Sequence, residues 1–570
     1  MKLPVQTLIP GSLEKAYHRE FQNLVAAEAV RRLWAKDLSL WPAEDTKKKE
    51  SSSNLGWLDL PECIGPQMAH LAQVAAAAEV EGFEDVVFVA MGDSNLAAET
   101  VLNLSLEKRW KRIFVLDSTD PDRVRAVDQG LNLPRTLFVF ANKSGKHIET
   151  QALLLYFLQR VRAAGSSSPG LHFIAVTDPD SYLADLAKEY RFRECFFDPP
   201  GIRGRYSGLI HFGLLLSALC RFEPASFLDR AAAMRDLCRS STPPQANPAL
   251  ALAAFLAAAA VEGRDKFLLA ANKTLTALTY RFAQLVGVSM GKGGQGLVPI
   301  CDSIRDVFES CRRGCIAALW TMQGEDDSTV KETANRLRDA GVPIVLIELH
   351  GPEELGAALF EWEVATALAC ALLDVNPFTE PDVQDGRANT AELLEALATK
   401  RQLPSGTVRV QEAGMALYAE GVTRQEISTL SLGAALRTFF GLKNPDGYLA
   451  ILAFVGHGTA LEGVLRLLRE QLATKLGIPV LLSCGPRYLH YFGQVYKGGP
   501  PTGLFLMLTG EPDENLAIPG AGYTFGQLQL ALALGDFESL AARKKLVVRL
   551  HLTQGIERGL AQLGQVISKL

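Results

Sequence analysis

At 570 residues the chain is too long for one ordinary hydrophobic core, so at least two large units are expected. A hydrophobic share of 48% against 21% charged residues fits a folded globular protein and excludes a disordered one. The net charge of -5 offers no basic face for nucleic acid or an anionic membrane, but is compatible with a small anion held by a few local donors. The nine cysteines are scattered. Only Cys311 and Cys315 lie close together, without a second pair or nearby histidine, so no metal site is expected and the thiols read as reduced. The start, Met1-Lys-Leu-Pro-Val5, has no signal-peptide run, and the apolar run 249–261 is too short to cross a bilayer. The expected compartment is the cytoplasm.

Residues 1–84 read as an N-terminal helical arm. Phe21, Leu24, Val25, Ala29 and Leu33 recur at helical spacing, and the polar stretch 45–54 reads as an exposed loop. From residue 85 the rhythm becomes strand, turn, helix. Apolar runs at 86–90, 112–116, 136–141 and 172–176 each end in polar turn residues. Continuous apolar strands of this kind predict a parallel sheet covered on both faces, with ligands bound beyond the strands' carboxyl ends. This first α/β unit spans 85–245. A second spans 246–480, with strands at 267–271, 314–319 and 342–348 and helices at 249–261, 328–340 and 353–373. Residues 481–570 are expected to complete the site and fold, with strands at 503–508 and 545–552 and a terminal helix.

Five segments could carry chemistry. Gly92-Asp93-Ser94 and Asn142-Lys143-Ser144-Gly-Lys146-His147-Ile-Glu149-Thr150 both follow strands and open helices, where backbone N–H groups attract anions. Gly204-Arg205-Tyr-Ser207 sets an arginine in a loop, where it could stabilise an enediolate oxygen. Gln284-Leu-Val-Gly-Val288-Ser-Met-Gly-Lys292-Gly-Gly-Gln-Gly296 is glycine-rich. In His490-Tyr-Phe-Gly-Gln494-Val-Tyr-Lys497-Gly-Gly499, a histidine could open a sugar ring by general acid catalysis.

Together these segments resemble the phosphoglucose isomerase family, and in particular the isomerase half of bacterial bifunctional transaldolase/phosphoglucose isomerases. The resemblance runs from Arg32-Leu-Trp-Ala-Lys-Asp-Leu-Ser-Leu-Trp41 through Leu116-Asp-Ser-Thr-Asp-Pro121, Gly263-Arg-Asp-Lys266, Asn376-Pro-Phe378 and Lys497-Gly-Gly-Pro500 to Tyr523-Thr-Phe-Gly526. It implies two sugar isomerase (SIS) domains, each an α-β-α sandwich with a mostly parallel sheet. It also implies a hexose-phosphate ligand of the glucose 6-phosphate/fructose 6-phosphate class, no cofactor, and a homodimer. By the same resemblance His490 opens the ring, Arg205 steadies the intermediate, and Gly92, Asp93, Ser94, Asn142, Lys143, Ser144, Lys146, His147, Glu149, Gln284, Lys292, Gln494 and Lys497 bind substrate.

The pattern breaks at the ligand edge. Where the family's Gln-Leu-x-Ala-Glu-Ser-Thr-Gly-Lys carries its proton-shuttling glutamate, this chain has Val288. The family's Ser-Lys-Ser-Gly-Thr-Thr-x-Glu-Thr has become the 142–150 segment, with Lys146 and His147 in place of two threonines. Arg387 replaces a lysine and Glu380 a glutamine. Since general base catalysis contributes about 10²–10⁴-fold, the family's standard reaction is expected to be weak or lost. Three readings stay open: an isomerase in which Glu380 or Asp93 replaces the base, a non-catalytic sugar-phosphate sensor, or an enzyme acting on a different phosphosugar.

Overall fold

Strands and helices alternate along most of the chain, and the strands collect into three sheets. The computed structural model describes residues 2–43, 54–105, 110–143, 145, 147–199, 201–202, 204–301, 314–404, 406–428, 431–456 and 460–570, the side chains of residues 93, 94 and 97 excepted. Most of the polar stretch 45–54, together with Ser144, Lys146, Cys311 and the side chains of Asp93 and Ser94, lies outside the described residues.

The N-terminal arm begins with a strand rather than a helix. β1 (Val5–Ile9) lies antiparallel along an edge of the second sheet, where it covers backbone groups that would otherwise be unpaired. The helical spacing after it resolves into two helices, Glu14–Ala26 and Ala29–Trp34. Glu28 takes left-handed backbone (φ 48°) between them and interrupts what periodicity alone reads as one element.

β2 (Asp85–Ala90), β3 (Arg112–Leu116), β4 (Thr136–Ala141), β5 (Phe173–Thr177) and β6 (Glu194–Phe197) form the first sheet, in the order β3-β2-β4-β5-β6 and wholly parallel. β2 and β4 are buried along their full length, as their unbroken apolar runs require. β7 (Lys266–Ala271), β8 (Val298–Ile300), β9 (Cys315–Met322) and β10 (Ile344–Leu349) form the second, in the order β1-β10-β9-β7-β8. Behind it the helical segment Pro352–Leu372 is apolar and long enough to cross a membrane, but 89% of its most apolar window is buried inside the protein. Its Trp362 joins Phe282 and Trp320, whose rings stack 4.5 Å apart. That cluster fixes the helix Thr276–Met290 against the second sheet.

Of the third sheet the strand pattern anticipates only the segments 503–508 and 545–552. β11 (Val408–Glu412), β12 (Met415–Ala419), β13 (Tyr448–Ala453), β14 (Val480–Cys484), β15 (Gly503–Gly510) and β16 (Leu546–Leu552) run in the order β11-β12-β16-β15-β13-β14. It has its own apolar core, in which Ile451, Leu506 and Leu550 meet Leu468 and Leu563 from two covering helices, Leu461–Leu476 and Ile556–Ser568. Residue 480, expected as the end of the second unit, is the first residue of β14 and falls inside this sheet. The β11–β12 hairpin turns at Ala413-Gly414, both at positive φ, without the Asn-Gly signal that would mark it in sequence. β12 then pairs with β16, more than 120 residues downstream, and that pairing is a tertiary event.

Candidate functional site

Two loops at the carboxyl edge of the first sheet open the site. After β2 the chain turns at Gly92 with φ +82°, a conformation that disfavours side chains, and a Cβ there would lie 3.4 Å from the Cβ of His490. After β4, Asn142 to His147 lead into the helix Ile148–Ala163. Asn142 anchors this loop twice: its backbone N–H donates to the Val176 carbonyl and its side-chain amide to the His147 carbonyl, at 3.2 and 3.3 Å.

His490 is the centre of the arrangement. It ends a short helical turn after β14, and its Nε2 lies 2.9 Å from Glu149 Oε1. Gln284 donates to the His490 carbonyl at 2.9 Å, tying the helix Thr276–Met290 to the same point. The ring of His147 stands 4.8 Å from that of His490, tilted by 55°. Burial would raise the Glu149 carboxyl, but the charge and hydrogen bond of His490 hold it down at about 2. Burial, and then the neighbouring His490, push His147 down to about 4, so its imidazole is neutral at pH 7.

Arg205 forms the second pole. It is buried, and donates to Ser289 Oγ at 3.1 Å, to the Pro377 carbonyl at 2.6 and 3.0 Å, and to the Thr379 carbonyl at 3.0 Å. Its remaining Nη1 lies 2.6 Å from Glu380 Oε1, while Arg387 reaches Glu380 Oε2 at 3.1 Å. Burial works against the Glu380 carboxylate, yet the two guanidiniums and Lys292 hold it at about 2. Both of its oxygens are engaged and its affinity for protons is low, so Glu380 is a poor general base. This corrects the expectation that it stands in for the missing glutamate.

Val288 lies between the two poles. Residues four apart share a helix face, so it follows Gln284, which touches His490, and it precedes Ser289, which touches Arg205. It is buried without joining the main apolar cluster that holds its neighbours Leu285 and Val286.

Four residues expected to bind substrate are engaged by other groups of the protein. Lys143 Nζ sits 2.9 Å from Asp178 and 3.8 Å from Asp198, beside β5. Lys292 donates to the carbonyls of Ser289 and Asn376 and so closes its own loop. Gln494 bonds the Gly291 carbonyl at 3.0 Å and Asp382 Oδ2 at 2.6 Å. Lys497 pairs with Asp536, which also accepts from Tyr488 at 2.5 Å, all within the interior. The signal missed in the sequence is Asp536, the partner carboxylate on the helix Phe525–Ala542. By contrast Asn142 Oδ1, His147 Nδ1, Thr150 Oγ1 and Gln284 Oε1 are buried atoms with no hydrogen-bond partner among the described residues. An unsatisfied buried polar atom costs about 1–3 kcal/mol, so these groups are suited to meeting a polar ligand.

Mostly parallel sheets with polar groups gathered at their carboxyl edges define an α/β protein. A glucose-6-phosphate isomerase of Carboxydothermus hydrogenoformans is 30% identical over 417 residues, covering 62% of this chain and 89% of that one. A probable glucose-6-phosphate isomerase of Haloquadratum walsbyi is 27% identical over 59% of this chain and 84% of its own. Among solved structures, a glucose-6-phosphate isomerase of Chlamydia trachomatis shares the fold at TM-score 0.52 and 19% identity, covering 65% of this chain and 78% of that one. A hypothetical protein of Thermus thermophilus does so at TM-score 0.58 and 22% identity, covering 68% of this chain and 99% of that one. No family model matches the chain. The chain belongs to the glucose-6-phosphate isomerase family.

Proposed function

We propose that the protein binds a hexose phosphate between the first-sheet loops and the Arg205–His490 cluster, and that the aldose–ketose isomerisation named for its relatives is weak in it. One observation carries this reading. At the point where the helix Thr276–Met290 passes between His490 and Arg205, the family's proton carrier is replaced by the hydrocarbon side chain of Val288. Around it the groups for binding and ring opening persist: the His490–Glu149 pair, the buried Arg205, and polar atoms with unused hydrogen-bonding capacity.

The test gives the purified protein glucose 6-phosphate in D2O and follows C2 exchange and fructose 6-phosphate by NMR, beside thermal shift with 6-phosphogluconate. The expected result is a clear ligand-induced shift with slow exchange. Fast turnover, comparable with that of a relative carrying the glutamate and assayed in parallel, would overturn the loss of activity. No shift with either sugar acid or sugar phosphate would overturn binding.

A further inference from the structure

If any carbon-bound proton moves in this site, some group other than residue 288 must carry it. Among the described residues, the two carboxylates nearest His490 and Arg205 are both committed. Glu149 pairs with His490, and Glu380 is held at both oxygens by Arg205 and Arg387. His147 is placed differently. Its ring stands beside that of His490, and its Nδ1 is buried and unpartnered among the described residues. The charges of His490, Glu149, Arg387 and Glu380 all act on the His147 ring. Burial leaves its imidazole neutral at pH 7, with an Nδ1 that no described residue satisfies.

We propose that His147 carries the carbon-bound proton in this site, in place of the carboxylate missing at position 288; the inference rests on the hexose-phosphate reading above. In the forward direction the C2–H bond breaks and its proton passes to the free ring nitrogen of His147. The electron pair forms the C1–C2 double bond while O1 takes a proton from His490, giving the enediol. The O2–H proton then returns to His490 as C2=O forms, and the His147 imidazolium gives its proton to C1. Atoms and charge balance, and no oxidant or metal is called on. Two imidazoles in unlike surroundings, one against a carboxylate and one desolvated, divide the acid and base roles between them.

The experiment compares C2 deuterium exchange of glucose 6-phosphate in the wild type, in His147→Thr and in Val288→Glu, with the 6-phosphogluconate thermal shift measured for each. The expected result is at least a tenfold fall in exchange in His147→Thr while the ligand-induced shift persists. A double variant, His147→Thr with Val288→Glu, should regain exchange, which separates loss of a proton carrier from loss of the fold. Unchanged exchange in His147→Thr overturns the role of His147 and leaves the binding reading intact. A wild type that binds ligand but exchanges nothing also overturns it. A wild type that neither binds nor exchanges defeats the hexose-phosphate reading itself.

Discussion

Two parts of one stretch, residues 490–499, behave in opposite ways. At its far end, Gln494 and Lys497 are buried and satisfied within the protein, through Gly291, Asp382 and Asp536. At its near end His490 faces His147, whose Nδ1 is unpartnered among the described residues, and it is bonded through its carbonyl to Gln284, whose Oε1 is likewise unpartnered. Polar residues that meet around one motif thus separate into those whose atoms are all engaged within the protein and those with neighbours whose atoms stay unsatisfied. Hydrogen-bond satisfaction, not residue type, tells them apart.

The largest expected effect lies on the satisfied side. Asp536→Ala leaves the Lys497 ammonium buried without its carboxylate, which should cost about 3–5 kcal/mol, read by denaturant unfolding. A loss below 1 kcal/mol would show that the interior pair is not what holds this end of the motif. Next, Val288→Glu should raise C2 exchange by about 10²-fold or more, since it restores a proton carrier between the two poles. No rise would mean that the loops at 92–94 and 142–150 no longer place substrate against that position.

Glu380→Gln draws the comparison more finely. Because Arg205 and Arg387 occupy both carboxylate oxygens, the variant should keep C2 exchange within about threefold of wild type. It should also bind 6-phosphogluconate more tightly, with two guanidiniums relieved of an internal anion. Collapse of exchange with unchanged binding would return the base role to Glu380.

A smaller effect tests burial away from the site. Burial pushes the Glu361 carboxyl up to about 8, against an ordinary value of 4.5. Below pH 4.5 both folded and unfolded states hold the proton and nothing is lost. As pH rises from 4.5 to 8 only the unfolded chain releases it, so stability falls, and the loss levels off above 8. Glu361→Gln should therefore melt close to wild type at pH 4.5 and a few degrees higher at pH 8.5. Equal melting at both pH values would show that the carboxyl is not desolvated. The smallest effect is expected for Leu467→Ser on the exposed face of the helix Leu461–Leu476, within about 0.5 kcal/mol of wild type.

Much of this architecture was legible in the chain. The runs at 86–90 and 136–141 are continuous and apolar because β2 and β4 are buried on both faces, and a run of that kind has few other homes. Of the third sheet only β15 and β16 were legible. β11 and β12 are short, turn at Ala413-Gly414, and gain stability from β16, so no local window holds the information. In the site, the motif alone puts a hydrocarbon side chain, Val288, where the resembling family's pattern has a glutamate. The fate of Lys497 could not be read that way, because its partner Asp536 lies on a different helix.

By itself the sequence determined the α/β class, the family, the loops that gather at the sheet edge and the absence of a carboxylate at 288, because each of these follows from residue type and short-range spacing. Only the tertiary structure decided which polar residues close on one another and which keep atoms unpartnered among the described residues. It set Glu380 between two arginines and His147 against His490. The physical reason is that proton affinity and hydrogen-bond satisfaction depend on what lies within a few ångströms, and those neighbours come from segments hundreds of residues apart.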